Sequence, residues 1–312
     1  MGLVRVAVTV SMVAAGCADD GDGEPTCDRC TPVASTLFVA DRDGDAVLRY
    51  DGTTGAFIDV FAAGVSARVD RPSSVRLGPS GHIYLAGFGR GDIVRYDVQT
   101  GAMADIFYWD TILLEEPVEL LFRGEELVVL GNDTRNAVVI DPAGVARQSF
   151  GPPNMRAAHD FVFGPDGNLY VATMSHPQLG SAIQVWSLET GQLLRHFGSH
   201  AELAGATSAT MGPDGLLYVC DFDRDQVLRF DPITGVHAGV FVPPGGGLID
   251  PLSLDFGPDG ALYVLDAIGV HRLDPDTGDE LSVLVRVGDG QLQGPRSFTF
   301  VTEAAIAAAS QL

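Results

Sequence analysis

Three histidines and two carboxylates have the chemistry to form a reactive or metal-holding centre. His159 and Asp160 are adjacent at the start of an apolar segment, Ala158–Phe163. His176 follows in the stretch Thr173–Ser181, and His200 in Gly198–Gly205. Glu119 holds in Pro117–Phe122 the place that Asp160 holds in its own segment. Imidazoles with a carboxylate suit Zn²⁺, and oxygen ligands suit Ca²⁺. An ion so held could polarise a carbonyl or activate water. These side chains can equally be surface or capping groups, because ligands drawn from separate loops have no fixed spacing. His82, His196, His237 and His271 lie in strands or beside turns, with no cluster evident in the sequence. No G-x-S-x-G elbow marks an activated serine.

What positions these residues is a repeat. VLRYD at Val47–Asp51 returns as IVRYD at Ile93–Asp97, VLRFD at Val227–Asp231 and VHRLD at Val270–Asp274. Weaker copies stand at Ala137–Asp141 and Ile183–Ser187, so successive copies are 43 to 46 residues apart. Short strands at that period predict a radial β-repeat. Each unit reads as four strands, A to D. In the fifth, Thr207–Met211 is A, Leu216–Asp221 B, Gln226–Asp231 C and Val236–Phe241 D. GPxG closes the A–B turn, and a turn ending in Gly closes C–D; Pro presets one φ, and Gly takes the left-handed position. The acid in GPDG could suggest calcium, but one oxygen ligand fits a hairpin turn better than a calcium loop.

Six strand A segments and six B–C–D sets predict an all-β fold, a six-bladed propeller of four-stranded antiparallel blades over residues 36–301. The first blade has B, C and D at the N-terminus and takes its A strand from the C-terminus. Ser297–Val301 must then pair beside Leu37–Ala40, which closes the ring. Residues 302–312 form a C-terminal tail, a short helix or frayed end.

The unit P-x-x-hydrophobic, then GPDG-x-LYV-A/C-D, then VLRFDP-x-TG, resembles the NHL-repeat family of six-bladed propellers. It is also similar to the SMP-30/gluconolactonase group and to virginiamycin B lyase-like propellers. The NHL resemblance brings in peptidylglycine amidating lyase, a zinc enzyme with His after Pro at the start of several A strands. Those positions here hold Ser73, Val118, His159, Thr207, Leu252 and Arg296, and only His159 matches, after Ala158. The gluconolactonase resemblance implies metal bound through Glu, Asn and Asp near the channel, with Glu119 and Asp160 as positional counterparts.

Strand order puts the uniform A–B and C–D turns on one face and the irregular B–C loops and D–A crossings on the other. Variable loops on a rigid scaffold are where binding groups gather. Two rings of side chains are expected at the channel there. The third residues of the A strands give Ser74, Glu119, Asp160, Ser208, Ser253 and Ser297; the ends of the B strands give Asp41, Gly87, Gly131, Thr173, Asp221 and Asp266. They could bind a small polar ligand or a cation, or cap backbone groups at strand ends. The ligand-binding candidates are Ser74, Asp160, Ser208, Ser253, Arg296, Ser297 and Trp109. The catalytic candidates are His159, Asp160 and Glu119, and the metal candidates His159, Asp160 and His176.

Net charge is −22, with 41 acidic against 19 basic residues, so nucleic acid is not an expected partner. Such charge favours solubility, and a monomer is expected. Residues 1–16 read as a secretory signal: a short basic start, then the ten-residue apolar run Val6–Ala15, too short to span a bilayer. Val13–Cys17 resembles a bacterial lipobox, which implies lipidation of Cys17, membrane contact through that anchor only, and a place in the cell envelope. Simple cleavage would instead give a secreted protein. Residues 17–35 form a polar tether, in which Cys27 and Cys30 are expected to form a local disulfide. Cys220, inside an apolar strand, is expected to be a buried free thiol. The first functional reading is a non-enzymatic scaffold binding a protein, glycan or small ligand on its irregular face. The alternative is a divalent-metal-dependent lactonase or lyase at the channel mouth, with Ca²⁺ or Zn²⁺ as its cofactor.

Overall fold

Six sheets of four antiparallel strands stand around a central axis in a computed structural model that describes residues 33–151, 155, 157–176, 180–198 and 202–309. Residues 1–32, with Cys17, Cys27 and Cys30 and the expected signal segment 1–16, and His200 lie outside the described residues. Blade 1 is ordered A (Pro295–Thr302), B (Ser35–Asp41), C (Ala46–Asp51), D (Phe57–Ala63). Its A strand pairs antiparallel with its B strand, Leu37 opposite Phe300 and Ala40 opposite Ser297, so the ring closes as the repeat register requires. The inner A strands of blades 2 to 6 are Pro72–Leu77, Pro117–Arg123, Ala158–Phe163, Ala206–Met211 and Ser253–Phe256. A short helix, Glu303–Ala309, follows the last strand.

The apolar core is divided rather than central. Among the described residues six clusters form, each between two adjacent blades. One, for example, joins Phe38, Val47 and Phe61 of blade 1 to Val75, Leu85 and Tyr96 of blade 2. Cys220 is a free, fully buried thiol in the cluster between blades 5 and 6, and burial pushes its pKa up.

The repeated polar residues also belong to this scaffold. All 19 basic residues are arginine, and those of the VLRYD motif lie flat against their own blade. Arg49 Nε donates to Asp59 at 2.7 Å while its guanidinium carbon lies 5.3 Å from the Phe61 ring. Arg95 repeats the arrangement with Asp105 and Phe107. A planar guanidinium can stack and pair at once, which an ammonium cannot. The closing aspartates accept backbone N–H groups within their turns, as Asp51 does from Thr53 and Thr54 and Asp231 from Ile233 and Thr234. These bonds hold the Asp51 and Asp231 carboxyls below the usual range. In the GPDG turns, Asp166 and Asp214 accept the N–H two residues on and the hydroxyl of the strand B tyrosine. The motif's acids are thus turn formers, as one oxygen per turn implied.

The glycine ending each C–D turn touches the preceding blade. A Cβ on Gly101 of blade 2 would stand 2.1 Å from the Phe61 carbonyl oxygen of blade 1. On Gly55 of blade 1 it would stand 1.7 Å from the Leu284 carbonyl oxygen of blade 6, across the point of closure. The T-G signature therefore records blade-to-blade contact as well as turn geometry.

Candidate functional site

The channel mouth is built by a repeated irregularity. In blades 1 to 5 the pairing of A with B slips between the first and third residues of strand A, as between Pro72 and Ser74 or Ala158 and Asp160. A bulge of this kind re-aims side chains. With it, second as well as third residues of strand A reach the axis in blades 1 to 4, as Arg296, Ser73, Val118 and His159 do, and Leu252 does so in blade 6 without it. A narrow pit of about 10 Å³ is lined by Ser73, Val118, Glu119, His159, Asp160, Leu252, Ser253 and Arg296. The sequence pattern pointed to the third residues. The second residues entered it only through a family motif that they mostly fail to match, yet they form the outermost layer of the channel.

Across that layer runs one hydrogen bond. Arg296 of blade 1 donates from Nη2 to Nδ1 of His159 in blade 4, at 2.9 Å. Blades 1 and 4 are opposite in a ring of six, so the bond spans the mouth. Burial, and then the charges of Arg296 and Arg42, lower the His159 pKa to about 4, and the imidazole is neutral at pH 7. Burial also lowers the pKa of Arg296, with the charge of Arg42 adding to the effect.

Beneath lies a closed polar network. Ser74 Oγ donates to Glu119 Oε1 at 2.6 Å, and Leu120 N–H donates to the same oxygen at 3.0 Å. Arg76 reaches Glu119 at 3.0 Å and donates to Ser297 Oγ at 3.2 Å and the Phe298 carbonyl at 2.8 Å, tying blades 1, 2 and 3 together. Asp160 accepts from Phe161 N–H at 2.6 Å, from Ala209 N–H at 3.2 Å and from the Ser208 hydroxyl. Burial raises the pKa of Glu119 against the pull of Arg76. Burial, then the charge of Glu119, raises Asp160 to about 8, so at neutral pH its carboxyl holds a proton.

The structure thus brings together His159, Asp160, Glu119, Ser253 and Arg296 at the pit, with Ser74, Ser208 and Ser297 buried just below. Trp109 lies apart on the irregular face, 60% exposed, with the Arg68 guanidinium 6.0 Å from its ring. His176 ends strand B of blade 4, opposite Gly180 in register. Among the described residues no three of His, Cys, Asp and Glu gather in a way that could hold a metal ion. At His159 the donor set also argues against one: a guanidinium occupies Nδ1, and its charge would repel a dication.

The second ring has a structural task. Asp41 accepts from Gln293 and Gly294 N–H at 3.0 and 2.7 Å, Asp221 from Gly205 at 2.7 Å, and Asp266 from Ile249 and Ile268 at 2.8 and 2.7 Å. These buried carboxylates clamp D–A crossings onto the ends of B strands, the capping role open in the sequence. Asp266 also pairs with buried His271, whose Nε2 lies 3.0 Å away and whose Nδ1 lies 2.7 Å from Glu280. Burial alone would lower the pKa of His271, but Asp266 and Glu280 outweigh it and raise it. This ion group was not legible in the sequence, because Glu280 arrives from strand D.

A broader concavity of about 320 Å³ opens beside the mouth on the same face. Its lining includes Arg71, Phe88, Arg90, Thr111, Glu116 and Asp133, all from B–C loops and D–A crossings of blades 1 to 3.

Neither a protein-family model nor a curated protein sequence matches the chain. Solved structures do. A streptogramin B lyase structure is 16% identical with a TM-score of 0.52, over 67% of this chain and 67% of that one. Virginiamycin B lyase from Staphylococcus aureus is 15% identical with a TM-score of 0.52, over 67% and 68%. A chain of a nidogen/laminin complex is 15% identical with a TM-score of 0.69, over 85% and 98%. At these identities the likeness is one of fold, and propeller folds carry unrelated functions.

Proposed function

We propose that this protein is an exported propeller scaffold, lipid-anchored through Cys17, that binds a protein, glycan or small ligand on its irregular loop face. One observation carries the reading. The channel is crossed by Arg296–His159 and sealed beneath by the Glu119 and Asp160 networks, leaving room for about one water. The accessible concave surface lies instead among the loops, and exposed Trp109 and Ile112 flank its lining residue Thr111 in the chain. An exposed aromatic beside a pocket has the makeup of a binding hot spot.

The test compares the two faces. Trp109→Ala should weaken capture of glycans or envelope proteins, on an array or in a pull-down, by about tenfold or more. Ile233→Ala, on a C–D turn of the uniform face and itself 55% exposed, should leave it unchanged. Equal effects from both faces would sink the reading. For the anchor, Cys17→Ser should move the protein from the membrane fraction to the soluble one, and continued retention would count against lipidation.

A metal-assisted lactonase or lyase remains the second reading, favoured by the neutral imidazole and the proton-holding carboxyl that share one pit. It requires an ion held near Glu119 and Asp160. Purified protein that shows no thermal shift with Ca²⁺ or Zn²⁺ would exclude it in this form.

A further inference from the structure

In a chain with 41 acidic residues and 19 arginines, an arginine without a carboxylate partner calls for an explanation. Three lie together at the channel mouth. Arg42, from the B–C loop of blade 1, and Arg71, from the crossing into blade 2, both stand over the ring of Phe88, their guanidinium carbons 4.1 and 4.9 Å from its centre. Arg296 is the third, its contact being the neutral His159. Among the described residues no ion pair reaches any of the three.

Asp43 and Glu116 act on Arg42 through charge, but among the described residues neither forms an ion pair with it. Asp45 accepts the backbone N–H of Arg71 at 2.7 Å rather than its side chain. The Glu116 carboxylate takes the Asn132 amide at 2.8 Å. Arg42 lies close enough to Arg71, Arg296 and His159 for charge to act among all four. Like charges gathered and partly desolvated are unfavourable in isolation, and a bound anion removes that cost. Stacking on Phe88 fixes two planar forks whose geometry matches an oxyanion.

We propose that Arg42 and Arg71, over the ring of Phe88, with Arg296 at the adjoining mouth, bind the oxyanion group of a small ligand, a carboxylate or a phosphate. The inference rests on the reading of the irregular face as the binding face and names the chemistry it accepts. The pit beneath is too small for more than a water, so the ligand sits across the mouth with its anionic group on the arginines. Its remaining part lies toward the concavity of Arg71 and Phe88.

Titration calorimetry at low ionic strength, with inorganic phosphate and with citrate as probes and chloride as the control salt, tests the site. At least one probe should bind saturably, phosphate alone indicating a phosphate-bearing ligand and citrate alone a carboxylate-bearing one. Arg42→Gln and Arg71→Gln should each weaken that binding on the order of tenfold. Arg123→Gln, on the opposite face, should not alter it. Arg71 is exposed, so its variant decides alone if Arg42→Gln fails to fold. No saturable binding of either probe overturns the proposal, as does binding that Arg71→Gln leaves intact or that Arg123→Gln weakens equally. If the oxyanion site fails while Trp109→Ala still abolishes capture, the face reading survives without it.

Discussion

Replacing Gly101 by alanine should destabilise the propeller by about 2–5 kcal/mol, as read from its urea midpoint. Two penalties combine. Gly101 has φ +70°, a left-handed conformation that costs a residue with a Cβ about 1–2 kcal/mol. The new Cβ would also lie 2.1 Å from the Phe61 carbonyl oxygen, which belongs to the strand D backbone of the neighbouring blade and cannot rotate away. Forcing two blades apart to admit a methyl is overpacking, at about 1–3 kcal/mol more. Gly167→Ala is the control. It has φ +75° in a GPDG turn with nothing within 4 Å of its would-be Cβ, so only the conformational penalty of about 1–2 kcal/mol applies. Equal losses in the two variants would show that blade contact contributes nothing at Gly101.

That contrast separates what the sequence discloses from what it conceals. The repeat declares the number of blades, the strand order and the closure, because each blade repeats the same local problem of turn, strand and apolar face. It does not declare why its glycines recur, since Gly101 and Gly167 look alike until the neighbouring blade is in place. The channel was legible in part. The third residues of the A strands reach the axis as period-two alternation requires, but in blades 1 to 4 a bulge adds the second residues, and a bulge leaves no mark in a single sequence. Arg296 and His159 therefore meet across a ring although 137 residues separate them. The arginines around Phe88 were invisible for a different reason. Arg42, Arg71 and Phe88 come from three loops that share no motif, in a chain whose charge points to the opposite sign of ligand. Many of the acids serve the scaffold, in turns, clamps and arginine pairs. Net charge thus describes the propeller, while the exceptions to it mark the mouth.

Two buried groups at that mouth should give stability an asymmetric dependence on pH. The folded protein holds Asp160 protonated up to about pH 8, whereas in the unfolded chain a carboxyl ionises near pH 4. Between these values the native state binds the extra proton, so stability falls as pH rises, by at most about 1.4 kcal/mol per unit. Glu119, also raised, acts in the same direction. His159 acts oppositely. Folded, it stays neutral down to about pH 4, while the unfolded imidazole protonates near 6.5. Over that interval the unfolded state binds the extra proton and stability rises with pH at the same limiting slope. The Asp160 and His159 contributions oppose each other from pH 4 to 6.5, and above 6.5 the buried carboxyls are joined by His271, whose raised pKa also makes stability fall as pH rises. Urea midpoints should therefore be nearly level to pH 6.5 and then decline by about 2 kcal/mol by pH 8. Asp160→Asn should make the decline shallower than in the parent, with Glu119 and His271 supplying what is left of it. His159→Gln should start the decline near pH 4. Profiles that run parallel to the parent in both variants would mean that neither group titrates as its burial dictates, and that the mouth is wetter than a pit crossed by Arg296 and His159 allows.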